Sequence, residues 1–200
     1  RTVDQRANAN ILEQYVLITE SWELNAAGKY EKKETRSEPY EVYNSKDHPD
    51  ADWRQYDEYT GTVGNEAIPE GYVFEYAKAT TGIVADTQAK TILAEGDNVL
   101  TLYYRKSADD TRTPTTVTIK HFYTMDRTYI ENGEVKHEKY TDVENVEVRD
   151  TVTGVYAGES FTADASYYET SYDGFTFAPN TSNNYTLSSL SSNADENVIN

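Results

Sequence analysis

A mainly β (α+β) chain with little helix, divided into two tandem modules, is the fold class this sequence predicts, and three observations predict it. Only 37% of the 200 residues are hydrophobic, yet 18 are Tyr, 5 Phe and 2 Trp, and aromatic side chains bury large areas while favouring strands. Runs of β-branched and aromatic residues alternate with turn signals, whereas helical periodicity is weak throughout. Finally, short landmarks recur in the same order, about half the chain apart, which is how repeated modules announce themselves.

Tyr59-Thr60-Gly61-Thr62-Val63-Gly64-Asn65-Glu66 is echoed by Val152-Thr153-Gly154-Val155-Tyr156-Ala157-Gly158-Glu159. Gly96-Asp97-Asn98-Val99-Leu100-Thr101 is echoed by Asp195-Glu196-Asn197-Val198-Ile199-Asn200. Gly71-Tyr72-Val73-Phe74 and Gly174-Phe175-Thr176-Phe177 stand between them. The glycines Gly61 and Gly154 lie 93 residues apart and Asn98 and Asn197 lie 99 apart, a difference that loop lengths absorb. Residues 1–9 read as a polar leader, 10–108 as the first module and 113–200 as the second, with a polar boundary at Ser107-Ala108-Asp109-Asp110-Thr111-Arg112-Thr113-Pro114. The second module's last strand is expected to be truncated, because the sequence stops at Asn200 where the first module continues into Leu102-Tyr103-Tyr104.

Taken in order, Ala7–Glu13 is a candidate short helix. Tyr15-Val16-Leu17-Ile18-Thr19 opens a strand that runs on through Trp22 and Leu24, turns at Asn25-Ala26-Ala27-Gly28, and returns over Lys29–Thr35. The second module repeats the device with Thr116–Tyr123 and a segment ending at Asn132-Gly133; Asn-Gly tolerates positive φ at both central positions of a tight hairpin. Asn98–Tyr104 reads as a buried closing strand, and single helical turns are expected near Glu66–Ile68 and Glu159–Ala165.

Charge narrows the function classes. The formal net charge is −17, from 35 acidic against 18 basic side chains. Up to residue 110 there are 12 basic and 21 acidic residues, beyond it 6 and 14, so the excess covers both modules rather than a tail. Nucleic acid and anionic lipid need a positive footprint, and neither fits as a partner. No Cys is present, which removes disulfides, thiol catalysis and thiolate metal sites, and no apolar run is long enough to span a membrane. A cysteine-free set of small modules suits a bacterial surface protein better than a eukaryotic secreted one.

On these residues the chain resembles the MucBP-type (mucin-binding protein) repeats of Gram-positive surface proteins. Thr153-Gly154 with Gly158-Glu159, the segment Tyr172–Phe175, and Asn98-Val99 with Tyr103-Tyr104 carry the resemblance. It implies a ubiquitin-like β-grasp fold for each module and a non-catalytic, adhesin-like or stalk role outside the cell, with anchorage to the cell wall. It implies no cofactor and no catalytic residue. Two departures stand out: an acidic insertion over Tyr43–Tyr56 in the first module and an aromatic loop over Phe161–Tyr172 in the second.

Several constellations carry chemistry of their own. Asp47-His48-Pro49-Asp50-Ala51-Asp52 offers oxygen ligands at alternating positions, but lacks the order and turn glycine of a calcium loop, and is expected to be a solvated acidic loop without metal. Tyr167, Tyr168 and Tyr172 are the candidate ligand-binding residues: rings lying on a surface stack on sugar faces, with Asp164, Glu169 and Asp173 near enough in sequence to accept hydroxyl hydrogen bonds. The competing role for the same rings is to plug the module's own core or a contact with an adjacent repeat. Lys120 and Asn200, in the first and last strands of the second module, form a pair that can condense to an isopeptide staple, their counterparts in the first module falling near Ile18 and Thr101. The histidines His48, His121 and His137 stand near no Gly-x-Ser-x-Gly turn, so nucleophilic catalysis is not expected. The Asn-x-Ser/Thr sequons at Asn180 and Asn184 are expected to be part of a polar loop. Host glycans or mucin, bound weakly by many copies, are the expected partners; a purely structural spacer is the alternative.

Overall fold

The structure is a computed structural model and describes residues 2–64, 66–79, 83–84, 89–168, 173–180 and 184–200. Among the described residues strand accounts for 52% and helix for 7%, so the mainly β expectation holds. Two compact units are formed, one from the residues up to Trp22 together with Lys32–Asp109, the other from Glu23–Glu31 together with Asp110–Asn200.

The long strand β1 (Ala9–Leu24) is, as far as Trp22, the organising element of unit 1. Ala9, Ile11, Glu13 and Tyr15 are buried at every second position, the period of a strand with one face inward. That alternation explains why Ala7–Glu13 is extended rather than helical. β2 (Tyr30–Arg36) and β3 (Tyr40–Asn44) lie along one edge of β1. β4 (Glu58–Thr60), β5 (Val73–Ala79), β6 (Ile83–Val84) and β7 (Lys90–Ile92) come next, and β8 (Gly96–Lys106) closes the unit. β8 runs parallel to β1 from Ala9↔Gly96 to Thr19↔Lys106, with β5 antiparallel on its other edge. A small second sheet, ordered β4-β7-β6, packs its Tyr59 and the adjoining Leu93 into the same core. At its centre Tyr104 lies 5.0 Å from Tyr15 and 5.7 Å from Phe74, ring centre to ring centre.

Unit 2 has β9 (Pro114–Ile119), β10 (Phe122–Glu131), β11 (Glu134–Glu144), β12 (Asp150–Tyr156), β13 (Phe161–Thr162), the single turn α1 (Ala165–Tyr168), β14 (Thr186–Leu187) and β15 (Val198–Ile199). β9 is central, with β12 antiparallel on one side and β15 parallel on the other. β10 and β11 form a hairpin whose turn residues Asn132 (φ 51°) and Gly133 (φ 78°) both have positive φ, as the Asn-Gly pair requires. Val117, Ile119, Val155, Ala163, Leu190 and Ile199 make the core. The segment Glu23–Glu31 belongs to this unit. Its turn is closed by the Lys29 carbonyl accepting from Asn25 N–H at 2.8 Å, and the Gly28 carbonyl accepts from Ser160 N–H at 2.9 Å.

The two units share a hydrogen-bond plan. In unit 1 the Asn98 side chain, 1% exposed, accepts from Ala94 N–H (2.9 Å) and donates to the Ala94 carbonyl (2.9 Å) and the Asn10 carbonyl of β1 (3.0 Å). In unit 2 the Asn197 side chain accepts from Ser191 N–H (2.8 Å) and donates to the Ser191 carbonyl (2.8 Å) and the Thr116 carbonyl of β9 (3.1 Å). Each asparagine ties the loop before the last strand to the first strand. This matches the correspondence between Asn98 and Asn197 read from the sequence.

The glycine landmark does not match. Thr60 closes β4, which pairs with β7, and the Gly61 N–H donates to Ala89. Thr153 and Gly154 instead sit in the bulge of β12 against β9, with Gly154 at φ 75°. The true counterpart of Gly158-Glu159 is Tyr56-Asp57. Tyr56 (φ 75°) and Gly158 (φ 91°) each have positive φ, and each donates its N–H to a buried leucine, Leu93 at 2.9 Å and Leu190 at 2.8 Å. Asp57 and Glu159 each accept, on the side-chain carboxylate, the N–H of the residue three before them, Arg54 and Tyr156, both at 2.8 Å. The same register extends upstream: Gln55 N–H donates to Ala7 and Ala157 N–H to Thr113. The sequence Asp4-Gln5-Arg6 thus corresponds to Asp110-Thr111-Arg112, and in both copies the Arg N–H and Nε donate to the aspartate.

Candidate functional site

Of the three tyrosines expected to bind a ligand, only the side chain of Tyr167 lies among the described residues. Tyr167, in α1, sits half-buried with its ring edge-on to Phe161, centroids 6.3 Å apart, and both pack against the unit 2 core. The helical turn is initiated by Asp164, whose side chain accepts from Ser166 N–H at 3.0 Å, so the local sequence directs Tyr167 inward. Tyr168 belongs to the same turn, and its side chain lies outside the described residues, as does Tyr172. Of the three, Tyr167 serves its own core.

The acidic insertion of unit 1 is a loop spliced into what is one continuous strand, β12, in unit 2. Leu12 pairs with Asn44 and Asn8 with Arg54, where in unit 2 the equivalent pairs are Thr118↔Thr151 and Pro114↔Tyr156. Within the loop His48 stacks on Tyr43 at 4.9 Å, and Asp52 pairs with Arg54 at 2.8 Å. Among the described residues no group of three or more His, Asp or Glu side chains is placed to hold a metal ion.

Carboxylates are held as braces. Asp57 takes Arg6 Nη1 at 2.6 Å as well as Arg54 N–H, and these bonds hold its carboxyl below the ordinary range, the Arg6 bond contributing most. Asp4, bound by the same guanidinium, is lowered to about 2. Glu159, buried, accepts Tyr156 N–H on one oxygen and Tyr30 N–H (2.9 Å) on the other, within unit 2. Glu13 is fully buried in unit 1, accepting Tyr59 Oη at 2.6 Å and Thr62 N–H at 2.9 Å. Burial, with Glu13 beside it, pushes the Tyr59 phenol up. At the matching positions unit 2 has Ile119 and Phe161, an apolar pair, so the Glu13–Tyr59 bond is a packing solution of one copy and not a shared site.

The histidines are likewise engaged locally. His121 Nε2 lies 3.0 Å from Asp150 Oδ2, and His137 Nδ1 lies 2.9 Å from Thr128 Oγ1 across the β10–β11 hairpin. The positions of Lys120 and Asn200 correspond to Gln14 and Thr101, not to Ile18 and Thr101: Lys120 N–H donates to Ile199 at 2.8 Å, and Gln14 Nε2 donates to Thr101 Oγ1 at 3.0 Å. The Asn200 carbonyl accepts from Asn180 Nδ2 at 3.2 Å.

Sequence reading missed one feature, a groove of about 690 Å³ in unit 2. It is lined by the Lys120–Thr124 stretch and the segment 175–180, together with the buried Ala163 and Ile199. Phe122, Phe175 and Phe177 are exposed along it, and Tyr123 meets Phe175 edge-on at 5.8 Å. A signal was available: Gly174-Phe175-Thr176-Phe177 repeats Gly71-Tyr72-Val73-Phe74, whose last two residues open β5 in unit 1. Compared with known families, curated proteins and solved structures, the chain matches none.

Proposed function

We propose that this chain is a non-catalytic tandem-repeat region of a bacterial cell-surface protein, of the MucBP-like, β-grasp type, and that its first role is structural: a spacer that presents other parts of such a protein. The observation that carries this reading is the shared brace plan, in which the same asparagine ties first to last strand and the same carboxylate closes the same turn in both units. Repetition of a scaffold with a changing surface suits a mechanical or spacing role. A net charge of −17 keeps neighbouring copies apart and soluble.

Weak, multivalent binding of host glycans or mucin is the second reading, favoured by the exposed rings of Phe122, Phe175 and Phe177 beside Asp142 and Asn180. A mucin pull-down and a glycan array on the intact chain separate the two. The spacer reading expects no retention above an unrelated acidic protein. Retention that is lost on changing the exposed Phe122, Phe175 and Phe177 to Ala overturns it in favour of the adhesin-like role.

A further inference from the structure

On the face of the unit 1 sheet that turns away from the core, one row of side chains crosses three strands. Register pairs Gln14 of β1 with Thr101 of β8, and Thr101 in turn with Lys78 of β5. Residues opposite one another in a sheet share a face, and successive residues alternate between faces. Their neighbours Tyr15, Leu102 and Ala77 belong to the core, so Gln14, Thr101 and Lys78 project together on the other side. The row reads amide, hydroxyl, amine. Its first two members touch: Gln14 Nε2 donates to Thr101 Oγ1 at 3.0 Å, and Thr101 is only 7% exposed. The hydroxyl oxygen therefore lies against the nitrogen that is bonded to the Gln14 carboxamide carbon. Lys78 leans inward over Tyr103, its Nζ 6.0 Å from the ring centroid. At the two touching positions unit 2 carries Lys120 and Asn200, again one carboxamide and one nucleophile, with the roles exchanged.

We propose that Gln14 and Thr101 condense to an ester, a covalent tie between the first and last strands of unit 1. Thr101 Oγ1 bonds to Gln14 Cδ, the Cδ–Nε2 bond breaks, and the hydroxyl proton leaves on that nitrogen as ammonia. Nothing is oxidised or reduced, and no co-reactant is consumed. Lys78, as the free amine, is the group placed beside the hydroxyl to take its proton and pass it to the departing nitrogen. Strand register supplies the rest, because it holds the two groups in contact for as long as the chain stays folded. The step occurs once per molecule, so a slow rate is enough to complete it. Once formed, the ester closes the chain between residues 14 and 101 and restricts the unfolded state as any cross-link does. It involves no ligand and requires neither the spacer nor the adhesin-like role.

Intact mass spectrometry of the purified 200-residue chain tests this. The folded chain is expected to be lighter than its sequence mass by one ammonia. Trypsin should then leave the peptide 7–29 joined to the peptide 91–105, and neutral hydroxylamine, which cleaves esters and spares amides, should separate them. Thr101→Ser keeps a hydroxyl and should keep the mass deficit. Thr101→Val should restore the full mass and lower the urea midpoint of unit 1. Lys78→Met should slow the appearance of the deficit after synthesis by roughly tenfold or more. A folded chain at its full sequence mass, an ammonia loss that maps elsewhere, as to the Asn132-Gly133 turn, or a Lys78→Met chain that loses ammonia as fast as the unchanged one overturns the proposal.

Discussion

A single buried amide can hold two strands and a loop in place, and Asn98 and Asn197 do so. Each makes bonds that no other side chain of its size reproduces, since it both donates and accepts. Asn98→Ala leaves the Asn10 and Ala94 groups unpaired in a dry site and is expected to cost unit 1 about 1–3 kcal/mol. Urea unfolding checks this, and Asn197→Ala should do the same to unit 2. Glu13 offers a sharper case. Tyr59→Phe strips one oxygen of a fully buried carboxylate of its partner, again about 1–3 kcal/mol. The double change Glu13→Ile with Tyr59→Phe installs the apolar pair that unit 2 already uses, and is expected to be less damaging than Tyr59→Phe alone. A double change that proves the worse of the two would show that the units do not share this packing. Asp57 is the pH-sensitive brace. Its folded pKa is depressed, so the stability it lends is present above the unfolded carboxyl value of about 4 and is lost as pH falls through the lower folded value. Arg6→Met removes the main cause. Carboxyl NMR titration should then show Asp57 moving up toward the ordinary range, with little change in stability at neutral pH because the pair is partly solvated.

At the scale of elements, two glycine turns that look alike in sequence are expected to differ. Gly28 (φ 75°) is pressed against Ser160 of the same unit, where an added Cβ would lie 2.7 Å from the Ser160 Cβ. Gly133 (φ 78°) has open space around it. Gly133→Ala should therefore cost only the left-handed backbone term, about 1 kcal/mol. Gly28→Ala should cost clearly more, since Ser160 must also move. Equal midpoint shifts in urea for the two variants would contradict the packing. The same scale explains the misplaced landmark. The turn at Tyr56-Asp57 needs a residue able to take positive φ, and after it a carboxylate that reaches back to the N–H three before it. Gly-Glu and Tyr-Asp both meet that need, with no letter in common.

For the molecule as a whole, the tyrosines set an alkaline limit. Tyr15, Tyr59 and Tyr104 are buried in unit 1 and burial raises each phenol above its ordinary value of 10.0. A raised folded pKa means this stability is intact below pH 10 and declines as pH rises beyond it, when the unfolded phenols ionise first. Absorbance titration at high pH should show these three ionising late, together with loss of near-ultraviolet circular dichroism; early, reversible ionisation of all 18 tyrosines would contradict it. What the amino-acid order determined by itself is local or additive: strand content from aromatic alternation, the Asn132-Gly133 hairpin from backbone tolerance, the acidic surface from composition, and the Asn98–Asn197 match because both the residue and its strand context recur. What only the tertiary structure decided depends on partners distant in sequence. Tyr167 turns to the core because Phe161 and α1 meet there, and Tyr56-Asp57 becomes the twin of Gly158-Glu159 because each docks on a buried leucine. Such choices are made by packing energies that arise once separate strands are brought side by side, and a single stretch of sequence carries no record of them.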